Sequence, residues 1–370
     1  MRAMDRTPRH IPPAPFRPPP VPRIVADVLT RPFSPDCPAG GARIPGASRG
    51  GQATSASGGS PRPPRPTRRR HVLHLLLAAL LLSACAQSPE GTCKLAWRAD
   101  LPIDPRDNLI FVPVMFNDHA ANLLMDTGAE RTTLTEAAVA RLHLRRDLQH
   151  PSSSVGIGGT STSYEALPDD FAVGVFRLPV DRVKVGTFPL PEIGGIQPDG
   201  LLGADILLAF DLDIDLPARR LTIYRARPCA DSRPPWTVPY SSVEGVGMWR
   251  DRLVVPLTVN GADGRAVLDT GAQSTVLRPE FAARGGVTRA MLENDPSRTM
   301  RGASRDEASS HLHRFDTVQI GTQIAHDVRL PVAELPNGQE DALIGGDFLR
   351  GRRIWLSAAS HQMFFTVPQP

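Results

Sequence analysis

Cysteine is scarce in this 370-residue chain, with four residues at Cys37, Cys85, Cys93 and Cys229. That is too few for a scaffold held together by disulfides. Long apolar runs are missing as well: the longest, about a dozen residues ending before Ser83, falls short of the roughly 20 needed to span a bilayer. A net positive charge is absent from most of the chain. Residues 1–84 hold 13 of the 42 Arg and Lys and 3 of the 38 acidic residues, leaving 29 basic against 35 acidic side chains beyond them, a net −6. The pI of about 9.1 is thus a property of the N-terminal segment, and the remainder gives no reason to expect nucleic acid as a partner. Histidines at metal-ligand spacing are lacking too. His311 and His313 flank one residue and His326 follows, but no fixed carboxylates complete a site, so a solvated loop is the reading there. No metal and no cofactor are expected.

What is present divides the chain. Residues 1–67 are basic and proline-rich, in runs such as "IPPAPFRPPP", and are expected to be disordered because they offer little apolar surface to bury. Within them "GASRG" fits the Gly-x-Ser-x-Gly pattern of hydrolases, but without the strand and helix that would make it a nucleophile elbow it reads as a chance match. Residues 68–84 place a basic cluster, Arg68 to Arg70, before an apolar run and small residues, which is the layout of a secretory signal. Leu82-Ser83-Ala84-Cys85 resembles a bacterial lipoprotein lipobox. That resemblance implies cleavage before Cys85, lipid attachment there, and a periplasm-facing, membrane-anchored protein; an ordinary signal with an incidental cysteine is the alternative. Export leaves Cys93 and Cys229 as either a disulfide or two free thiols.

An internal repeat organises the rest. "IFVPVMFNDHAANLLMDTGAERTTL" (110–134) lies over "LVVPLTVNGADGRAVLDTGAQSTVL" (253–277) without a gap, so that Asp126 meets Asp269. "DGLLGADIL" (199–207) meets "DALIGGDFL" (341–349), and "RRLTIY" (219–224) is matched with "RRIWLS" (352–357) at a shorter offset. The expected units are a first lobe at 108–228 and a second at 250–367, with linkers at 85–107 and 229–249. Alternating or clustered β-branched and apolar residues between turn signals make both units mostly strand. One short helix is expected after each Asp-Thr-Gly: "TEAAVARLHL" puts Ala138, Val139 and Leu142 on one face, and "RPEFAARGG" offers Pro279 as a start and Gly285 as a stop. Polar stretches at 145–165 and 286–312 read as loops or exposed hairpins. Asp211, Asp213 and Asp215 alternate with Leu212, Ile214 and Leu216 as a strand with one wet face would.

Two Asp-Thr-Gly-Ala segments, each followed by two apolar residues and a glycine, resemble the aspartic proteases over about residues 108–366. Ala129 and Ala272 are more like the retroviral branch than the pepsins, and "GIGG" (Gly156, Ile157, Gly158, Gly159) is similar to a retroviral flap tip. The resemblance implies an all-β bilobal fold, a cleft between homologous lobes with a flap over it, and peptide-bond hydrolysis. Because the corresponding second-lobe stretch "MRGASRDEASSHLH" is polar and charged with only Gly302 in register, one flap, from the first lobe, is expected. The resemblance also implies that Thr127 and Thr270 each reach across to the opposite loop, and it makes Asp205 and Asp347 structural, as acids opening a helical turn. Tyr164 is read as a surface aromatic rather than a flap tyrosine.

The residue types support that chemistry on their own terms. Amide hydrolysis without metal or covalent nucleophile requires one carboxylate to take a proton from water and another to give one up. Two adjacent carboxyls cannot both ionise readily, so Asp126 and Asp269 would share a proton, and neither is assigned as acid or base. Gly128 and Gly271 lack a Cβ, which lets the backbones approach and an N–H point at a carboxylate. Gly203 and Gly345 would let a neighbouring segment pack under each turn. The expected partners are a peptide or protein substrate and, through its lipid, a membrane; one chain supplies both halves, so a monomer suffices. The alternative function is a non-catalytic, exported peptide-binding or envelope-structural lipoprotein on the same framework.

Overall fold

A computed structural model describes residues 96–156, 159–186, 190–225, 233–249, 251–301, 307–335, 340–358 and 360–368. The leader, the signal, Cys85, Cys93, Cys229, Ile157 and Gly158 lie outside the described residues. Everything described falls in one compact unit, built mostly of strands with a few short helices.

The repeat is visible first in its hairpins. Strand Leu109–Phe116 turns into His119–Met125 through Asn117 and Asp118, at φ 46° and 63°; Arg252–Val259 turns into Ala262–Leu268 through Asn260 and Gly261, at φ 47° and 81°. Tight hairpins need positive φ at both central residues, and Asn, Asp and Gly tolerate it. Each Asn side chain does a second job. Asn117 Oδ1 accepts the N–H groups of Asp169 (2.8 Å) and Asp170 (3.0 Å), and Asn260 Oδ1 accepts those of Asp316 and Thr317, both at 3.0 Å.

Each half then follows one pairing order. In the first, Arg145–Gly156 pairs with Gly159–Leu167, followed across the sheet by Val183–Gly186, Thr133–Thr135, Gly200–Leu202, His119–Met125 and Leu109–Phe116. In the second the order is Ser297–Arg301, Glu307–Ile320, Gln323–Ala333, Val276–Leu277, Ala342–Ile344, Ala262–Leu268 and Arg252–Val259. Differences follow from proline. Where the second half runs one strand through Glu307–Ile320, the first is interrupted at Pro168, which has no N–H to give a ladder, and resumes at Phe171–Val173.

A six-stranded sheet joins the halves, in the order Ala96–Pro102, Arg220–Arg225, Asp211–Asp215, Arg353–Ser357, Gln362–Phe365 and Ser241–Val243. This sheet corrects three readings of the sequence. The repeat does not begin at 108: Leu101 pairs with Leu221 as Val243 pairs with Met363, and Arg106 with Leu109 as Trp249 with Arg252, so parts of both linkers are strand. The counterpart of "RRIWLS" is not "RRLTIY" but the Asp211–Asp215 strand, since Leu212 pairs with Ile223 as Ile354 pairs with Phe365. Nor is the Asp211–Asp215 face wet. Asp211 and Asp213 are each 1% exposed, and Asp213 accepts from Arg353 Nε (2.8 Å), Arg353 Nη2 (2.7 Å) and Trp236 Nε1 (3.0 Å). Alternation signals a strand with two unlike faces, and here a paired charge occupies the polar one.

The helices after the two Asp-Thr-Gly segments are Glu136–Arg141 and Pro279–Arg284. Thr135 caps the first by accepting from the Ala138 N–H at 3.1 Å, and Ala138, Val139 and Leu142 are buried as the pattern requires. The stretch after residue 286 holds a hairpin of Ser297–Arg301 with Glu307–Ile320, one of the two forms expected of it, and in addition a helix, Arg289–Asn294, capped by Thr288, which was not expected. His311 and His313 lie in that strand rather than in a solvated loop. His313 is buried, with Nδ1 2.6 Å from Asp295 Oδ2, and no metal-binding cluster occurs among the described residues. A continuous apolar core runs through both halves, including Phe116, Leu134 and Val139 from one and Phe281, Leu277 and Phe315 from the other.

Candidate active site

The two Asp-Thr-Gly turns meet where the halves face each other. Each aspartate is anchored by the parallel strand beside it. The Asp126 N–H donates to Leu202 O and the Asp269 N–H to Ile344 O, both at 2.9 Å, because Leu202 lies in register with Met125 and Ile344 with Leu268. The chain then curls so that Gly128 and Ala129 N–H groups donate to Asp126 Oδ1, at 3.0 and 2.8 Å. Gly271 and Ala272 do the same for Asp269 Oδ1, at 2.9 and 3.1 Å.

The threonines cross. Thr127 Oγ1 accepts the Thr270 N–H and Thr270 Oγ1 accepts the Thr127 N–H, both at 3.1 Å, while the two hydroxyls donate to Leu268 O (2.6 Å) and Met125 O (2.8 Å) of the opposite half. Both are fully buried. Four hydrogen bonds away from water thus fix one turn against the other, where each lost partner would leave a costly unpaired group.

The glycines are required by space. A Cβ on Gly128 would lie 2.4 Å from Asp269 Cγ, and one on Gly271 would lie 2.4 Å from Asp126 Cγ. Gly203 and Gly345 are equally constrained: a Cβ there would come within 2.5 Å of Arg131 C and 2.4 Å of Ser274 C. Under each turn sits a further pair that the repeat contained but the sequence reading passed over. Asp205 Oδ1 accepts the Thr132 N–H and hydroxyl, and Asp347 Oδ1 accepts those of Thr275, all at 2.8 Å. Thr132 and Thr275 hydroxyls in turn accept from Gly203 and Gly345 N–H. The signal was a threonine six residues after each aspartate. Asp205 and Asp347 do open short helical turns, Ala204–Leu207 and Gly346–Leu349, and they also tie those turns to the two Asp-Thr-Gly loops.

Electrostatics follow from this crowding. Each carboxyl lies against the glycine of the opposite turn, which brings the Asp126 and Asp269 side chains together. Burial pushes the Asp126 carboxyl well above the usual range and the neighbouring Asp269 charge adds to the push, against the N–H groups of Ala129 and Gly128. Asp269 is also raised by burial, opposed by its bond to Asp126, the N–H groups of Gly271 and Ala272, and the charge of Arg252. The pair therefore holds one proton at a pH where an ordinary aspartate holds none. Both residues keep some surface open, so the carboxyls are enclosed yet reachable.

Around this centre the predicted residues are placed as follows. Gly156 and Gly159 pair at the end of the hairpin Arg145–Gly156/Gly159–Leu167. The second half carries a hairpin at the corresponding position, with Arg301 paired to Glu307, so the fold does not restrict hairpins to the first lobe. Tyr164 sits back toward the hairpin base and is half-buried; its hydroxyl donates to Glu136, and burial together with that bond pushes the phenol up to about 12. Arg131 and Glu165 (2.8 Å) join the same hairpin to the loop after the first Asp-Thr-Gly.

With this geometry described, comparison with known proteins gives three findings. Residues 112–206 match a protein-family model described as "Aspartyl protease", and residues 255–351 match one described as "gag-polyprotein putative aspartyl protease". Among solved structures, the aspartic proteinase from Irpex lacteus is similar over 74% of this chain and 98% of its own, at 12% identity and a TM-score of 0.44. Comparison with curated proteins gives no match. Each half of the chain is thus similar to aspartyl proteases in its own right.

Proposed function

We propose that this chain is an aspartic endopeptidase that hydrolyses peptide bonds with water activated between Asp126 and Asp269. The observation that carries the reading is the contact of these two raised carboxyls, one from each half, across the reciprocal Thr127 and Thr270 bonds. Buried like charges are unfavourable to hold together, and such pairs belong where a shared proton is put to use.

In the reaction the ionised member takes a proton from water as the water oxygen attacks the peptide carbonyl. The protonated member gives its proton to the carbonyl oxygen, forming a neutral tetrahedral intermediate. The member that is now protonated gives its proton to the amide nitrogen while the ionised member takes one from a hydroxyl of the intermediate; the C–N bond breaks, giving a carboxylic acid and an amine and leaving the pair singly protonated. The hairpin ending at Gly156 and Gly159 suits an extended peptide, which it would bind as an added strand. The signal-like segment and Cys85 support an exported protein held to a membrane by lipid on that cysteine; among the described residues no helix is long and apolar enough to cross a membrane.

Digestion of a mixed peptide library, read by mass spectrometry, tests the reaction. Cleavage is expected from the wild-type chain, with a loss of at least about 1,000-fold in Asp126→Asn and in Asp269→Asn. Near wild-type turnover in either variant would sink the shared-proton mechanism.

A further inference from the structure

The two walls beside the aspartates are chemically unequal. Counting back the same distance from each aspartate reaches Leu109 in the first half and Arg252 in the second, and each opens the corresponding strand of its hairpin. Leu109 is buried in an apolar cluster with Phe111, Leu124, Ile193 and Leu201, against which Ala129 of the catalytic turn packs. Arg252 pairs across its hairpin with Trp249, and its guanidinium lies over that ring, 4.4 Å from the centroid.

The guanidinium is held but not satisfied. Arg252 Nε is buried with no hydrogen-bond partner, and no ion pair involves Arg252 among the described residues. The hairpin register that pairs Val254 with Val267 and Val255 with Ala266 carries Arg252 to the level of Asp269. Asp269 is not the missing acceptor, because its Oδ1 is taken by Gly271 and Ala272 N–H groups and the carboxyl lies against Gly128 of the opposite turn. A buried N–H without an acceptor is an incomplete site. The group that completes a guanidinium edge best is a carboxylate, which accepts two parallel bonds, and the Trp249 face already fixes the plane in which they would form.

We propose that Arg252 is a specificity-determining residue that receives a carboxylate of the bound peptide, giving the cleft an acidic preference on its second-half side and an apolar one on the Leu109 side. This rests on the reading of the cleft as a peptide site. The carboxylate has two sources, an Asp or Glu side chain or a free C-terminus.

Binding of fluorescent peptides to the full-length Asp126→Asn chain tests this without turnover. Peptides with a central apolar residue carry Glu or Gln at each flanking position in turn, with free or amidated C-termini. At one position the Glu peptide, or the free-acid form, is expected to bind at least 10-fold more tightly than its neutral partner. Arg252→Leu, which copies the first half, should bring that ratio near 1, and Arg252→Lys should keep part of it. A ratio near 1 in the parent, or one unchanged by either Arg252 substitution, overturns the proposal. A retained acidic preference in a wild-type chain that cleaves nothing would count against hydrolysis and leave the role of Arg252 standing.

Discussion

Asp213 lies opposite Trp355 in the antiparallel pair that joins the two halves, and the repeat makes each the counterpart of the other. The pseudo-twofold relation between the lobes passes through this point. Its two sides are chemically unlike: Trp355 is fully buried, while Asp213 needs Arg353 to neutralise it and Trp236 to complete its hydrogen bonding.

Arg353→Leu should therefore destabilise the chain by about 3–5 kcal/mol, because it strands a buried carboxylate. Urea denaturation is the measurement. The double variant Asp213→Leu/Arg353→Leu should lose less than the single one; a larger loss would mean that the pair itself contributes more than it costs to bury.

Asp126→Asn should abolish cleavage and also stabilise the fold at neutral pH. The folded carboxyl is raised by burial and by Asp269, so the stability of its protonated form is full below the unfolded value near pH 4 and is lost as pH rises through the folded value. Asn imitates the protonated form and keeps an oxygen for the Gly128 and Ala129 N–H groups. A rise of at least about 2 °C in Tm at pH 7 is expected, the response of a chain this size to roughly 1 kcal/mol, with no rise at pH 3. Thermal scans at both pH values would expose the opposite sign.

Thr127→Val removes one acceptor and one donor from the crossed pair and leaves Leu268 O and the Thr270 N–H buried without them. A loss of about 2–4 kcal/mol is expected. Thr127→Ser keeps the hydroxyl and should retain most of the stability; equal losses in the two variants would show that the methyl, not the hydroxyl, matters.

Gly128→Ala would force a Cβ to within 2.4 Å of Asp269 Cγ. Displacing a reacting carboxyl by about 1 Å commonly lowers rates on the order of 100-fold, and kcat/KM on a cleavable peptide should fall by at least that much. Wild-type kinetics in this variant would mean that the two turns are further apart than described.

The centre of this molecule was legible because duplication wrote it twice: Asp126 with Asp269, Gly203 with Gly345 and Asn117 with Asn260 recur at nearly constant spacing. The helices after each turn were legible from their caps and apolar faces. The edges were not. Ala96–Pro102 and Ser241–Val243 share a place in the joining sheet but little sequence, since an edge strand is specified by backbone pairing more than by side chains. The "RRLTIY" match misled because two basic residues before a β-branched run suit any strand. Burial of Asp213 could not be read at all, because its partner Arg353 lies in the other half of the chain.

The backbone bonds between Asp211–Asp215 and Arg353–Ser357 have a consequence for how such a cleft changes over time. When identical subunits associate to make one, any substitution arrives on both sides at once, and dilution takes the assembly apart. Here both sides belong to one chain and are joined within it, so a substitution falls on one side alone, and Leu109 and Arg252 stand at equivalent positions.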